Sequence, residues 1–240
     1  MSYDPRRFWE ERRSEHFDLR SSGETGLSLA YNRACYALRA EVLARALADA
    51  GFDPRGKRVL DVGCGTGFFT AWYLARGADL TGVDLTDASI ERLRAAYPAA
   101  RFVRADIGET APEGRFDLVH VFDVFFHITD DRRWEAAMRN AAGAVAPGGR
   151  LVYTDVFAAP RGLASHNVTR PLERHRALLR ETGLEMKLLR PTHVLLNRDL
   201  GALKGLNRFP SLLLALDRAM LSMGIGGRED SNQLLLAQRP

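Results

Sequence analysis

The 240-residue sequence predicts an α/β protein with a doubly wound sheet of seven strands. Three observations predict this class. From Lys57 onward, short apolar runs alternate with helical segments, the sequence form of a parallel sheet with crossover helices. A glycine-rich turn, "VGCGTGF", follows the first apolar run. The second and third runs each end on an aspartate, Asp84 and Asp106, where a doubly wound sheet places its ligand.

The elements follow in order. Asp4 and Pro5 read as an N-cap and first helical position, opening a short helix with Phe8, Trp9 and Phe17. After a Ser/Gly-rich break, "RSSGETGLS", a longer helix runs over about residues 30–50, with Ala34, Leu38, Val42 and Leu47 on one face and Gly51 as its stop. Residues 1–56 are therefore expected to form an N-terminal helical lid or cap, and 57–240 the core domain. Strands are expected at "KRVLDVG", "ADLTGVD", "RFVRAD", "FDLVHVFD", "GRLVYTDV", "LEMKLLR" and "QLLLAQR". Helices fall between them at about 67–76, 87–97, 130–144 and 171–182, with Asp87 and Asp130 as caps and Gly77 and Gly183 as stops. Gly148 and Gly149 turn the chain into the fifth strand. Before the last strand, residues 191–231 form an apolar helical insertion containing Phe209, Leu212, Leu213, Leu214, Leu216, Met220 and Met223. An acceptor-pocket wall, a dimer contact and a membrane-grazing surface are all open to it; packing on the domain is the plainest role, because apolar stripes usually mean core.

Composition narrows the function classes. The formal net charge of +4 is spread along the chain, and lysine occurs only at 57, 187 and 204, so no nucleic-acid partner is expected. Cys35 and Cys64 are too few for a disulfide framework and have no metal-ligand spacing, so no metal is expected. The N-terminus has no apolar secretory core, and no run approaches the roughly 18 apolar residues of a membrane-spanning helix. A soluble, cytoplasmic protein without stable membrane insertion is the expectation.

The glycine turn discriminates among ligands. A P-loop needs four residues between its glycines and then Gly-Lys-Ser/Thr, and no lysine stands in this turn. A dinucleotide fingerprint needs a third glycine at position 68, which is Phe68; the glycines here are Gly63, Gly65 and Gly67. Asp61, just before them, opposes a pyrophosphate at the helix N-terminus and suits a ligand with an ammonium group.

Taken together, "VLDVGCGTG", "LTGVDLT", "FVRADI", "FDLVHVFDVFFHI" and "APGGRLVYTD" resemble, in order, the motifs of class I S-adenosylmethionine-dependent methyltransferases, over about residues 57–239. The resemblance implies a Rossmann-like sheet with the last strand antiparallel, S-adenosylmethionine as cofactor and S-adenosylhomocysteine as product. It implies that Gly63, Cys64, Gly65 and Gly67 let the backbone approach the cofactor, with Asp61 near its amino group. Asp84 would accept from the ribose hydroxyls and Asp106 from the adenine amino group, with Leu85 and Ile107 against the ring. Phe122 and Asp123 would lie near the transferred methyl.

Methyl transfer is an in-line displacement that needs a base only when the nucleophile must lose a proton. His127, just past the fourth strand, is the first candidate base, against a purely structural role. His120, inside that strand, reads as core. The connection "AAPRGLASHNVTRPL" offers His166, Asn167 and Arg170 as acceptor contacts, and a lid with Phe8, Trp9, Tyr31 and Tyr36 offers Tyr31. "FDVFFH" lacks the Asn/Asp-Pro-Pro-aromatic motif of nucleic-acid and protein amide methylases. A small, hydrophobic acceptor methylated at oxygen, in specialised metabolism, is therefore expected, with a homodimer possible in principle. The rivals are a nicotinamide-dependent oxidoreductase and a non-catalytic cofactor-binding relative.

Overall fold

The computed structural model describes residues 3–159, 162–164, 166–196, 200–226 and 231–240. Three helices come first, α1 (Pro5–Glu15), α2 (Leu19–Ser22) and α3 (Leu29–Asp49). The alternating part follows as β1 (Arg58–Val62), α4 (Phe68–Leu74), β2 (Asp79–Asp84), α5 (Asp87–Ala96), β3 (Arg101–Arg104), β4 (Phe116–Val121), α6 (Asp131–Gly143) and β5 (Val145–Asp155). A small hairpin, β6 (Gly162–Ala164) and β7 (Asn167–Val168), leads to α7 (Leu172–Glu181), β8 (Glu185–Pro191), α8 (Pro210–Ser222) and β9 (Gln233–Gln238). A single 3-10 turn lies at Phe125–His127 and a longer 3-10 helix, ahead of α8, at Gly201–Arg208.

The main sheet has seven strands in the order β3-β2-β1-β4-β5-β9-β8. Pairings among the first five are parallel, and β9 runs antiparallel to both β5 and β8. The doubly wound sheet with an antiparallel last strand is thus present. The β6–β7 hairpin was not expected from the sequence, because its strands are too short to carry an alternating pattern.

Both faces of the sheet are covered, as a parallel sheet requires. Strand residues alternate between the two layers: Leu118 faces α3, α4 and α5, and Val119 faces α6 and α7. In β9, Leu234 and Leu236 join the first layer and Leu235 and Ala237 the second. On one side Trp134, Met138, Leu178 and Leu179 fill the core; on the other Leu43, Leu47, Tyr73, Ile90 and Leu93 do so. Helix α3 is therefore a layer of the sheet domain that adds Tyr36 to the ligand end, while Tyr3, Pro5, Trp9, Arg13 and Ser22, from the segment up to α2, lie over it.

Caps follow the sequence with one change. Asp4 accepts from the Arg7 backbone N–H at 3.1 Å, and Asp130 from that of Arg133 at 2.8 Å. At α5 the cap is Thr86, and Asp87 is the first helical residue. Asp87 is expected as the cap from its residue type alone, but Thr86 holds that place because its hydroxyl is already fixed by Asp84.

The insertion packs on α3. Leu196 and Leu213 join Tyr31, Ala34 and Leu38 in a third apolar cluster. Asp217, fully buried on α8, accepts from the backbone N–H groups of Leu195 at 2.6 Å, Leu196 at 2.9 Å and Val194 at 3.3 Å. Removing this carboxylate leaves three buried donors unpaired. Asp217→Ala is expected to lower unfolding free energy by about 2–3 kcal/mol, read from the midpoint of urea denaturation.

Candidate functional site

The carboxyl ends of β1, β2 and β4 open onto one cavity of about 240 Å³. Its floor is the turn after β1. Gly63 and Gly65 both have positive φ, +73° and +53°, a backbone region that side chains rarely tolerate. A Cβ at Gly63 would stand 2.4 Å from the Val124 Cγ2, and one at Gly65 2.8 Å from the Arg13 guanidinium, so the turn is shaped for close approach from above. Gly67 serves a different purpose. It is the N-cap of α4, packs against Leu93 and is not among the residues lining the cavity.

Among the carboxylates that line the cavity, Asp61, Asp84 and Asp106 stand at or just past the ends of β1, β2 and β3, and each is held by protein donors. Asp61 is buried; its oxygens accept from the Thr70 hydroxyl at 2.8 Å and from His120 Nδ1 at 2.9 Å. The other ring nitrogen of His120, Nε2, is buried and has no hydrogen-bond partner among the described residues. Asp84 accepts from the Gly65 N–H at 2.8 Å through one oxygen, and through the other from the Thr86 N–H at 3.0 Å and hydroxyl at 2.7 Å. It thereby ties the glycine turn to the end of β2. Asp106 accepts from the Gly108 N–H at 2.8 Å and pairs with Arg133. Cys64, Leu85, Ile107 and Phe122 complete the walls next to these acids. Burial pushes the Cys64 thiol well above its usual pKa, which keeps it an unreactive wall group.

Asp123 also lines the cavity, but its carboxylate is engaged. It pairs with Arg39, accepts from the Thr154 hydroxyl at 3.0 Å and from the Asn232 side-chain amide at 2.9 Å. Its φ of +55° is the only positive value at a non-glycine among the described residues. Such a conformation costs of order 1–3 kcal/mol, and these three partners offset it. Burial works against the Arg39 charge, yet Asp123, with smaller contributions from Tyr36, Cys35 and Glu24, outweighs it and raises the guanidinium pKa.

Over the opening lies α1. Glu10 accepts from the backbone N–H groups of Asp87 at 2.8 Å and Ala88 at 3.0 Å, docking a carboxylate on the N-terminus of α5. Arg13 donates to the Ser22 hydroxyl at 3.0 Å, and Ser22 lies 3.2 Å from the Thr66 hydroxyl in the glycine turn. Tyr3, Pro5, Trp9, Arg13 and Ser22 form the roof. Beneath it, the His127 ring meets Trp9 edge-on at 4.9 Å and stacks on His166 at 5.5 Å; His166 in turn stacks on Phe8 at 4.7 Å. His127 Nδ1 lies 3.0 Å from the His166 carbonyl oxygen, which can only accept. The proton is thus on Nδ1 and the lone pair on Nε2.

A family model described as "Methyltransferase domain" matches residues 29–198, well over half of the chain. The chain belongs to the class I S-adenosylmethionine-dependent methyltransferases. These are enzymes that use S-adenosylmethionine and release S-adenosylhomocysteine. A ubiquinone biosynthesis O-methyltransferase of Alkalilimnicola ehrlichii is 31% identical over 112 residues, 44% of each chain. The methyltransferase thus spans under half the length of that curated relative. In fold it is similar to magnesium protoporphyrin IX methyltransferase of Synechocystis with bound cofactor, at a TM-score of 0.65 and 15% identity, over 100% of this chain and 99% of the other. It is likewise similar to 1,6-didemethyltoxoflavin-N1-methyltransferase of Burkholderia thailandensis, at 0.61 and 18% identity, over 100% and 92%.

Three residues expected at the acceptor of this methyltransferase are placed otherwise. Tyr31 is buried against the insertion and does not line the cavity, because the α3 face that carries it turns toward α8. Arg170 is 1% exposed: its guanidinium donates to Asp131 at 3.0 Å and to the Ile128 carbonyl at 2.9 Å, and lies over the Trp134 ring. His166 is not among the lining residues and meets ones that are, with its ring near Tyr3 and stacked on His127. Conversely, Arg13, Ser22, Thr66, His120 and Arg133 line the cavity without having been expected there. Only His120 had a readable signal, since it pairs in register with Asp61 on the neighbouring strand. No group of three or more metal-ligating side chains occurs among the described residues.

Burial sets the acid response of the methyltransferase. It pulls His127 and His193 down to about 4 and His175 to about 3, and pushes Asp155 up to about 8. For the histidines the unfolded chain binds protons first, so their contribution is complete above pH 6.5 and is lost as pH falls toward 4. Asp155 acts oppositely, losing its contribution as pH rises from 3.8 through 8. Three titrations outweigh one below pH 6.5, and Asp155 alone of these acts above it. Melting temperature, followed by circular dichroism, is expected to peak near pH 6.5 and fall on both sides.

Proposed function

We propose that the protein transfers the methyl group of S-adenosylmethionine to oxygen on a small, largely apolar acceptor lying beneath α1. The observation that carries this reading is the neutral His127, with its lone pair on Nε2, in a cavity roofed by Tyr3 and Trp9.

The residues present fit the cofactor. Asp61, Asp84 and Asp106 give an acidic floor, and Leu85, Ile107 and Phe122 give flat apolar walls. That set of acceptors suits an ammonium, a diol and an adenine amino group, and it opposes a pyrophosphate. Asp61 would face the amino group, Asp84 the ribose hydroxyls and Asp106 the adenine edge, with Leu85 and Ile107 on the ring and Gly63, Cys64 and Gly65 allowing close approach. The cofactor supplies an electrophilic sulfonium methyl. Phe122 would border that methyl, and Asp123 would act through Arg39 and Thr154, holding the end of β4 in place.

The remaining work belongs to the lid and to His127. Helix α1 would cover the bound ligands and exclude water from a cavity of about 240 Å³, and its lifting would admit them. His127 would take the proton of the acceptor hydroxyl on Nε2. An imidazole held near pKa 4 is a weak base, which favours an acidic hydroxyl, a phenol or an enol, over an aliphatic alcohol. The proteins it resembles include an O-methyltransferase and an N1-methyltransferase, which keeps nitrogen as the second reading.

The test is S-adenosylhomocysteine formation with a panel of phenols, enols, aliphatic alcohols and aromatic amines. Turnover confined to the acidic hydroxyls is the expected result. Turnover on amines alone would move the reaction to nitrogen, and turnover on none of the panel would remove the support for an oxygen acceptor of this class.

A further inference from the structure

Exposed apolar side chains scattered singly are ordinary, whereas a contiguous patch marks a surface that meets something. Among the described residues the large apolar side chains left exposed are Leu203, Phe209, Leu212, Leu216, Met223 and Ile225, and all lie in the insertion between β8 and β9. The patch is not scattered. From Phe209 at the start of α8, Leu212, Leu216 and Met223 recur at helical spacing and fall on one stripe of the helix. This stripe is not what holds α8 in place. Leu213 and Asp217, on the adjoining face, are the buried anchors against α3 and the chain at 194–196.

Charge indicates what covers the stripe. Within residues 200–226 the one acidic side chain is Asp217, fully buried with its carboxylate on three backbone N–H groups. The exposed charges of that stretch are Lys204, Arg208 and Arg218, of which Arg218 is paired with Glu41. Apart from the Arg218–Glu41 pair, the exposed charges of this described stretch are basic, Lys204 and Arg208, and an apolar stripe next to them complements an anionic surface that has an apolar interior. A two-fold contact between copies would instead bring the same basic patch to both sides, setting like charges together. No helix among the described residues is long and apolar enough to cross a membrane, which leaves attachment in the plane of the surface.

We propose that this face seats the protein on the surface of an anionic phospholipid bilayer. Phe209, Leu212, Leu216 and Met223 enter the boundary between headgroups and acyl chains, and Lys204 and Arg208 lie over the lipid phosphates. The inference is independent of the acceptor assignment, because it uses none of the cavity residues. Its consequence for function is that an apolar acceptor dissolved in the bilayer is met where it resides.

The test is sedimentation of the full chain with vesicles of phosphatidylcholine alone and of phosphatidylcholine mixed with phosphatidylglycerol. Binding to the mixed vesicles is expected, weaker on phosphatidylcholine alone and weakened by salt. Lys204→Glu with Arg208→Glu is expected to reduce partitioning by tenfold or more, from about fivefold per basic side chain. Leu212→Glu with Leu216→Glu is expected to abolish it. Both variants change exposed positions and should keep the wild-type melting temperature and S-adenosylhomocysteine affinity, so a loss of vesicle binding cannot be ascribed to misfolding. Absence of wild-type binding to either vesicle, or equal binding by the variants, overturns the proposal. So does a dimer, seen by light scattering, that Leu212→Glu with Leu216→Glu dissolves while no vesicle binding is found, since the stripe would then belong to a second copy.

Discussion

His127→Ala is expected to lower kcat by about 10²–10⁴, the usual contribution of a positioned general base, while leaving cofactor affinity within a few-fold of wild type. The reasoning starts from a single hydrogen bond. The His166 carbonyl holds the proton on Nδ1, leaving Nε2 as the only basic atom of the ring. Burial lowers the imidazole to about 4, against the opposing pull of that hydrogen bond and of Asp123. The base is therefore in its active form across the whole neutral range. The pH profile of kcat/KM should show no inflection near 6.5 from this group and should fall only as pH approaches about 4. A merely structural histidine predicts something different. His127→Asn can keep a donor toward the His166 carbonyl, so it would restore activity if position were the whole role, and it should fail if the lone pair on Nε2 is needed.

Asp84→Ala is expected to weaken S-adenosylhomocysteine binding by about 10²-fold or more. Two hydrogen bonds from a diol to a carboxylate contribute of order 1.5–3 kcal/mol each. A second effect accompanies the first. Asp84 also holds the Gly65 N–H and both donors of Thr86, so its removal loosens the glycine turn and the start of α5. The unfolding free energy should fall by about 2–3 kcal/mol. Measuring melting temperature without ligand beside affinity separates the two effects. A variant that loses stability but binds normally would reduce Asp84 to a turn-holding residue.

The parts of this site written in local pattern were legible. Three glycines after an apolar run, and an aspartate closing each of the next two runs, locate the cavity, because strand order in a doubly wound sheet brings those ends together. The parts that depend on packing across the molecule were not. Tyr31 and Arg170 have the right residue types for an acceptor site, yet α3 turns Tyr31 toward α8 and Asp131 draws Arg170 into the second layer. Gly67 reads as part of the ligand turn, but its left-handed φ of +84° serves the N-cap of α4. The roof was the least readable element. Glu10 finds the N-terminus of α5, 77 residues away, and nothing in the sequence near Glu10 announces that partner. His120 stands between these cases, since a core position in β4 was evident and its bond to Asp61 follows once β1 and β4 are known to be neighbours.

The most direct test of the account is calorimetric titration of the purified chain with S-adenosylmethionine, S-adenosylhomocysteine and NAD, each repeated with Asp84→Ala. Saturable binding of the first two, absent for NAD and lost in the variant, is the result predicted by an acidic cavity floor beneath α1. Binding of NAD alone would contradict it, and would make the turn at Gly63 and Gly65 a dinucleotide site.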